Sequence, residues 1–233
     1  MGSSWGWFLL TALAIVKISG VKNRKNTKRN YMKIICIGRN YAKHIEELQN
    51  ERPKDPVIFM KPDSAILLKN NPFFIPPFSQ DIHYEVELVV KIKKIGKHID
   101  KKFAPKYYDE IGLGIDFTAR DLQSKLKEKG LPWEKAKAFD GSAVVGNFMD
   151  KSELDTRQIR FQLLKNGELV QDGDSTHMLW SIDEIISYVS QFFTLKIGDL
   201  IFTGTPAGVG RVAAEDVLEG TLEGNSMFRV KIK

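Results

Sequence analysis

His83-Tyr84-Glu85-Val86-Glu87-Leu88-Val89-Val90 sets two carboxylates into a run that otherwise reads as a buried β-strand. Residues two apart on a strand point to the same face. Glu85 and Glu87 are therefore expected side by side with His83 in line behind them, while Tyr84, Val86 and Leu88 turn toward a core. Two carboxylates that close repel unless a positive charge lies between them or one takes up a proton. A hard divalent cation held by oxygens is the usual resident. The ordinary alternative is a solvated strand face on which Glu alternates with Val, and the octapeptide alone leaves both open.

Upstream, Lys33-Ile34-Ile35-Cys36-Ile37 reads as a first strand running into Gly38-Arg39-Asn40-Tyr41. A short helical stretch follows from Ala42 to Asn50, stopped by Pro53 and Pro56. His44 and Glu47 are three apart and share a helix face. A carboxylate beside an imidazole can orient it as a general base, although a surface pair on an amphipathic helix gives the same spacing. Val57-Ile58-Phe59-Met60-Lys61-Pro62 reads as a strand closing on a lysine that either meets an anionic substrate or caps the strand.

Downstream, Lys91 to Lys102 alternates basic and apolar residues like a solvated hairpin or strand edge. Asp116 ends the apolar run Ile111, Leu113, Ile115, and Thr118 is placed to cap a following helix. A third carboxylate would complete an oxygen-ligand set. Arg120 and Gln123 share a face of that helix, and the guanidinium offers a fork either to a substrate carboxylate or to a neighbouring acid. Lys137, flanked by Ala136 and Ala138, could be desolvated and usable in proton transfer, or simply solvated. Asn166-Gly167 predicts a hairpin, and Ser181 an N-cap to a helix over Ile182 to Phe193. The glycine-rich Thr203-Gly204-Thr205-Pro206-Ala207-Gly208-Val209-Gly210 lacks the Gly-Lys-Ser/Thr ending of a phosphate-binding loop. Thr205 and nearby amides can instead hold a carboxylate, or the glycines only shape a turn.

The formal net charge of +6 over 233 residues sits wholly in the first 31. Lys17, Lys22, Arg24, Lys25, Lys28 and Arg29 meet no acid there, which leaves 29 basic and 29 acidic side chains in residues 32–233. A neutral body argues against nucleic acid as a partner. The apolar run from Trp5 to Val16 is shorter than the roughly 18 to 20 residues that span a bilayer. Its positive charges follow it, against the signal-peptide order. Residues 1–31 are read as an extension outside the fold, with a membrane anchor as the rival, and residues 32–233 as one catalytic domain. The single cysteine, Cys36, excludes an intrachain disulfide and is taken to fit a cytoplasmic location.

In order along residues 32–233, the motifs resemble the fumarylacetoacetate hydrolase superfamily. The resemblance is carried by Gly38-Arg39-Asn40-Tyr41 with His44 and Glu47, Phe59-Met60-Lys61-Pro62, His83 to Leu88, Asp116-Phe117-Thr118-Ala119-Arg120-Asp121, Leu131-Pro132-Trp133 through Lys137, and Thr203 to Gly210. Within it the chain is most similar to the small single-domain acylpyruvate hydrolases, a branch that includes oxaloacetate decarboxylases and tautomerases. Residues 1–31 match nothing in the family.

The resemblance implies an α+β, mostly β fold: a mixed-sheet roll with few peripheral helices, assembled as a homodimer. It implies Glu85, Glu87 and Asp116 as protein ligands of Mg²⁺ or Mn²⁺, His44, Glu47 and Lys137 as catalytic groups, and a lid carrying His44 and Glu47. Arg39, Lys61, Arg120, Gln123 and Thr205 are implied to bind substrate. The implied activity is metal-dependent hydrolysis of a C–C bond in acylpyruvate-type 2,4-dioxo acids, with oxaloacetate decarboxylation or tautomerisation at the same site. The alternative is a 2-hydroxyhepta-2,4-diene-1,7-dioate isomerase.

Overall fold

The computed structural model of the protein describes residues 33–49 and 51–233, so the expectations on residues 1–31 lie outside the described residues. In chain order the elements are β1 (Ile34–Gly38), α1 (Ala42–Glu47), β2 (Val57–Lys61), β3 (Ile82–Tyr84), β4 (Val86–Ile92) and β5 (Tyr108–Asp116). Next come β6 (Thr118–Ala119), α2 (Arg120–Glu128), α3 (Glu134–Lys137), β7 (Ala143–Asp150), β8 (Arg160–Lys165) and β9 (Glu168–Asp174). The chain closes with α4 (Ile182–Phe192), β10 (Leu200–Phe202), β11 (Gly210–Arg211), β12 (Val217–Leu222) and β13 (Asn225–Lys231).

The main sheet runs β2-β1-β10-β4-β5-β7. It is mixed: β1 pairs parallel with β10 and the other neighbours pair antiparallel. A four-stranded antiparallel sheet, β13-β12-β8-β9, and a small one, β11-β3-β6, complete the roll. The α+β, mostly β architecture with few peripheral helices is the one expected. Apolar side chains pack on both faces of the main sheet. One cluster takes Leu88, Val90, Ile111, Leu113 and Ile115, and a smaller one takes Ile34, Cys36, Val89, Leu200 and Phe202. Burial on two faces explains why these strands read as near-continuous apolar runs rather than as strict alternation.

Local chemistry agrees with several sequence signals. The β8–β9 hairpin turns on Asn166 and Gly167, both at positive φ, as a tight two-residue turn requires. Ser181 and Glu184 form a capping box at the start of α4. Thr118 departs from expectation: it lies in β6, α2 has no side-chain cap, and the Thr118 hydroxyl accepts a hydrogen bond from Lys137 at 2.6 Å. The basic–apolar stretch is no hairpin either, since β4 continues through Ile92 and a 3₁₀ turn follows at Lys101–Lys106.

Register is what brings the acids together. Val86 pairs with Ile115 and Glu87 with Gly114 across β4 and β5. The Asp116 N–H donates to the Glu85 carbonyl at 2.8 Å, so the residues just outside that pairing are also neighbours. Gly114 leaves room at this crossing: a Cβ there would run into the Val144 carbonyl and lie 2.9 Å from both Phe202 and Val89 side-chain carbons. Overpacking a filled core costs about 1–3 kcal/mol. Gly114→Ala is therefore expected to lower the urea unfolding free energy by about that amount; an unchanged midpoint would show that the strand crossing has slack.

Candidate metal centre

Glu85, Glu87 and Asp116 each present a carboxylate oxygen within 4.8 Å of the others, and all three are buried. The two glutamates do not lie on one regular strand. Glu85 occupies the break between β3 and β4, and Glu87 is the second residue of β4. Gly204, at φ +98, aims its N–H at Glu87 Oε2 from 2.8 Å. A Cβ at that position would meet Asn40 Cβ at 2.7 Å, so glycine lets this backbone approach the carboxylate.

Three cations surround the three acids. Lys137 donates to Glu85 Oε2 at 2.8 Å and to Asp116 Oδ2 at 2.7 Å. One arm of the Arg120 guanidinium pairs with Glu85 while the other donates to Gln123 Oε1 at 2.7 Å. Lys61 Nζ lies 2.8 Å from Asp116 Oδ1 and also donates to the Lys137 carbonyl and to Ser142 Oγ at 2.9 Å. Asp116 Oδ1 nevertheless accepts no hydrogen bond despite full burial. A buried carboxylate oxygen without a hydrogen bond, within an all-oxygen set, fits a hard divalent cation. These residues can hold such an ion.

The electrostatics follow from burial and neighbours. Burial, with Asp116 and Glu85 alongside, pushes the Glu87 carboxyl well above its ordinary value. Burial pushes Glu85 the same way, but Lys137 and Arg120 outweigh it and hold that carboxyl well below the usual range. Burial would also lower Lys137, the effect its alanine neighbours suggest. Asp116 and Glu85 reverse it and keep the ammonium charged. The His44 imidazole is lowered by burial despite Glu85 and Glu47, and is therefore neutral near pH 7.

A cavity opens over the cluster, lined by Arg39, His44, Glu85, Glu87, Arg120, Gln123, Lys137 and Thr205. Ile37, Leu48, Phe59 and Trp133 supply its apolar wall, and Lys127 also lines it. Of the site residues expected from sequence, Glu47 and Asp116 stay off this wall, and so does Lys61. Its side chain is fully buried under Asp116, so it reaches the cluster and not the cavity. His83 turns away to pair with Asp81 at 2.9 Å. On α1, His44 Nδ1 and Glu47 Oε2 are 3.2 Å apart, and Glu47 Oε1 accepts the Gly208 N–H at 3.0 Å.

Two residues of this region escaped the sequence reading. Gln171, buried on β9, accepts the Val86 N–H at 2.9 Å and donates to Thr205 Oγ1 at 2.8 Å and the Pro206 carbonyl at 3.0 Å. Its orientation is fixed because Val86 N–H can only donate and Pro206 C=O can only accept. Thr205 Oγ1 thus accepts from Gln171 and keeps its own proton to give. Nothing in the local sequence Leu169-Val170-Gln171-Asp172 marks this role, since an exposed hairpin strand reads the same way. Lys127 could have been found by helical spacing, because it lies four residues beyond Gln123.

Residues 33–233 match the fumarylacetoacetate (FAA) hydrolase C-terminal family. The chain belongs to the fumarylacetoacetate hydrolase family. Among its relatives, the mitochondrial oxaloacetate tautomerase FAHD1 of Mus musculus is 42% identical over 201 residues, covering 86% of this chain and 91% of that protein. The mitochondrial oxaloacetate decarboxylase of Dictyostelium discoideum is 41% identical over 194 residues, 82% of this chain and 89% of its own. The fumarylpyruvate hydrolase of Pseudomonas aeruginosa, solved with Mn²⁺ and pyruvate, superposes with a TM-score of 0.82 at 36% identity, covering 87% of this chain and 89% of that one.

The same relatives overturn the cytoplasmic location expected from sequence, because fumarylacetoacetate hydrolase family members this similar to the chain are mitochondrial in mouse and Dictyostelium. A lone buried thiol shows that the fold needs no disulfide. It carries no information that separates one compartment without disulfides from another. Among the described residues no helix is long and apolar enough to cross a membrane.

Lys61 gives the centre a test that needs no substrate. Removing one partner of a buried ion pair costs about 3–5 kcal/mol because the other charge is left uncompensated. Lys61→Met is expected to lose about that much unfolding free energy in chelator, with part of it recovered in excess Mg²⁺. A variant as stable as the parent in chelator would mean that Asp116 does not depend on Lys61.

Proposed function

We propose that the protein is a divalent-metal-dependent hydrolase of acylpyruvate-type 2,4-dioxo acids that also decarboxylates or tautomerises oxaloacetate. The observation that carries this reading is the carboxylate cluster opening into the same cavity as His44 and Lys137. Glu85, Glu87 and Asp116 would hold Mg²⁺ or Mn²⁺. When bound, such an ion supplies Lewis-acid stabilisation of negative charge on a 2-oxo acid.

The chain's own groups divide the remaining work. His44 is neutral, and with Nδ1 engaged by Glu47 its Nε2 is left to take a proton from water. Water so activated attacks the distal carbonyl of a 2,4-dioxo acid. Lys137 stays charged beside Glu85 and Asp116 and can give a proton, or balance charge, at the carbon released by C–C cleavage. Arg39, Arg120, Gln123 and Thr205 would orient the substrate's oxygens. Lys61 acts one layer below, by holding Asp116. Decarboxylation needs no attacking water, and tautomerisation needs proton transfer alone, so a single cavity can serve all three reactions. The assembly proposed is a homodimer, for which exposed Leu68 and Phe74 offer apolar surface. Nucleic acid is not a proposed partner, because residues 32–233 balance 29 basic against 29 acidic side chains.

A panel of acylpyruvates and oxaloacetate, each with Mg²⁺ and with excess chelator, tests the reading; full activity in chelator on every substrate would rule it out. His44 separates the reactions. General-base help is typically worth about 10² to 10⁴ in rate. His44→Ala is expected to lose acylpyruvate cleavage by roughly that factor and to keep a larger share of oxaloacetate decarboxylation. In the parent enzyme the acid limb of cleavage should fall below pH 6.5, the ordinary imidazole value, because burial lowers His44. Equal loss of both reactions with Mg²⁺ binding intact would remove water activation from His44.

Residues 32–233 are proposed to be the whole catalytic domain. A chain starting at Met32 is expected to match the full chain in melting temperature and in turnover on the panel. A lowered melting temperature would make residues 1–31 part of the folded enzyme.

A further inference from the structure

On the edge of β4 that faces β10, the ladder is left unfinished. The Leu88 carbonyl accepts the Thr203 N–H at 3.1 Å there, and backbone groups two residues apart along a strand point the same way. Val86 N–H therefore points past the end of β10, whose pairing with β4 stops at Phe202 and Val89. Gln171 fills the gap. Its side-chain oxygen takes the Val86 N–H at 2.9 Å, and its amide nitrogen reaches Thr205 Oγ1 and the Pro206 carbonyl on the glycine-rich turn. The turn closes up against β9 at the same place, since a Cβ on Gly208 would run into the Val170 carbonyl and lie 3.4 Å from Gln171 Cγ. One buried side chain thus joins the peptide between Glu85 and Glu87 to a residue of the cavity wall.

A hydroxyl turns its hydrogen to suit its surroundings, so its polarity is set by its neighbours. At Thr205 the neighbour offers a hydrogen. Gln171 cannot swing its oxygen round without giving up the Val86 N–H and setting that oxygen against the Pro206 carbonyl. We propose that Gln171 is a positioning residue for the reaction: it holds the Thr205 hydroxyl as a hydrogen-bond donor to a carboxylate or keto oxygen of the substrate. The tie to Val86 fixes where that donor stands relative to the carboxylate cluster. The proposal rests on the 2-oxo acid reading of the cavity. A hydroxyl already committed to giving its hydrogen outward favours an anionic acceptor and needs no reorientation when one arrives. Gln171 lies behind the cavity wall and acts on the substrate only through Thr205.

A double-mutant cycle separates this role from general support of the fold. The probe is pyruvate, titrated calorimetrically into Mg²⁺-loaded protein. Gln171→Met and Thr205→Val are each expected to weaken it about tenfold, the scale of one hydrogen bond to a charged group, and the double variant no more than about twofold further. Thr205→Ser keeps the hydroxyl, so it should bind within about threefold of the parent and lose about tenfold when Gln171→Met is added. Gln171→Ala leaves room for water at the Val86 N–H and carries the same cycle should Gln171→Met not fold. Losses that multiply in the Thr205→Val background, or unchanged binding in Gln171→Met, overturn the role of Gln171 and leave the 2-oxo acid reading intact. A parent that binds no pyruvate defeats that reading, and this role with it.

Discussion

Three carboxylates packed within 4.8 Å of one another inside a protein are an electrostatic problem, and much of the chain's local structure answers it. Lys61, Lys137 and Arg120 supply three positive charges from β2, α3 and α2, so the cluster is balanced by elements far apart in sequence. Each cation is placed by backbone features that look unrelated to chemistry. Lys61 ends a strand on the edge of the main sheet, Lys137 ends a one-turn helix, and Arg120 begins α2 where its N–H bonds the Asp81 carbonyl at 2.8 Å. The glycine-rich turn adds a backbone donor to Glu87. Removing any of these leaves buried charge without compensation, the costly state for a protein interior.

The strands, the Asn166-Gly167 hairpin and the α4 cap were legible because each depends on neighbours in sequence. The carboxylate trio was legible by pattern, although its geometry came about differently. A regular strand would place Glu85 and Glu87 on one face, whereas the chain breaks at Glu85 and recruits Asp116 through the β4–β5 register. Residues whose meaning is set by distant partners were harder to read. Lys61 looked like a substrate contact because it follows an apolar strand, and only tertiary packing shows it beneath Asp116. Thr118 looked like a helix cap because it precedes a helix, but Lys137, 19 residues away, takes its hydroxyl. Gln171 lies on a hairpin whose alternation announces nothing, and its partners are 85 and 34 residues distant.

Relatives that differ in reaction share this chain's length and fold: a tautomerase, a decarboxylase and a hydrolase each align with more than four-fifths of it. A cluster of acids cannot by itself tell these reactions apart. Discrimination must lie in other groups around the cavity, which include His44 with its partner Glu47 and Arg120 and Gln123 on α2. Phe59 and Trp133, whose ring centroids are 6.0 Å apart, give the same cavity an apolar stretch of wall.

The two oxygens of Glu47 lead in different directions, one to the His44 imidazole and one to the Gly208 amide. Gly208 belongs to the same turn as Gly204 and Thr205, which reach the acid cluster and the cavity wall. A six-residue helix such as α1 has little stability of its own and takes its position from contacts like this one. The turn is thus a mechanical link. Gly208 holds one oxygen of Glu47 while the other stays with the imidazole, so a shift of the turn would carry the carboxylate with it. One carboxylate answers to two masters, so the orientation of the imidazole and the shape of the glycine-rich turn cannot be set independently.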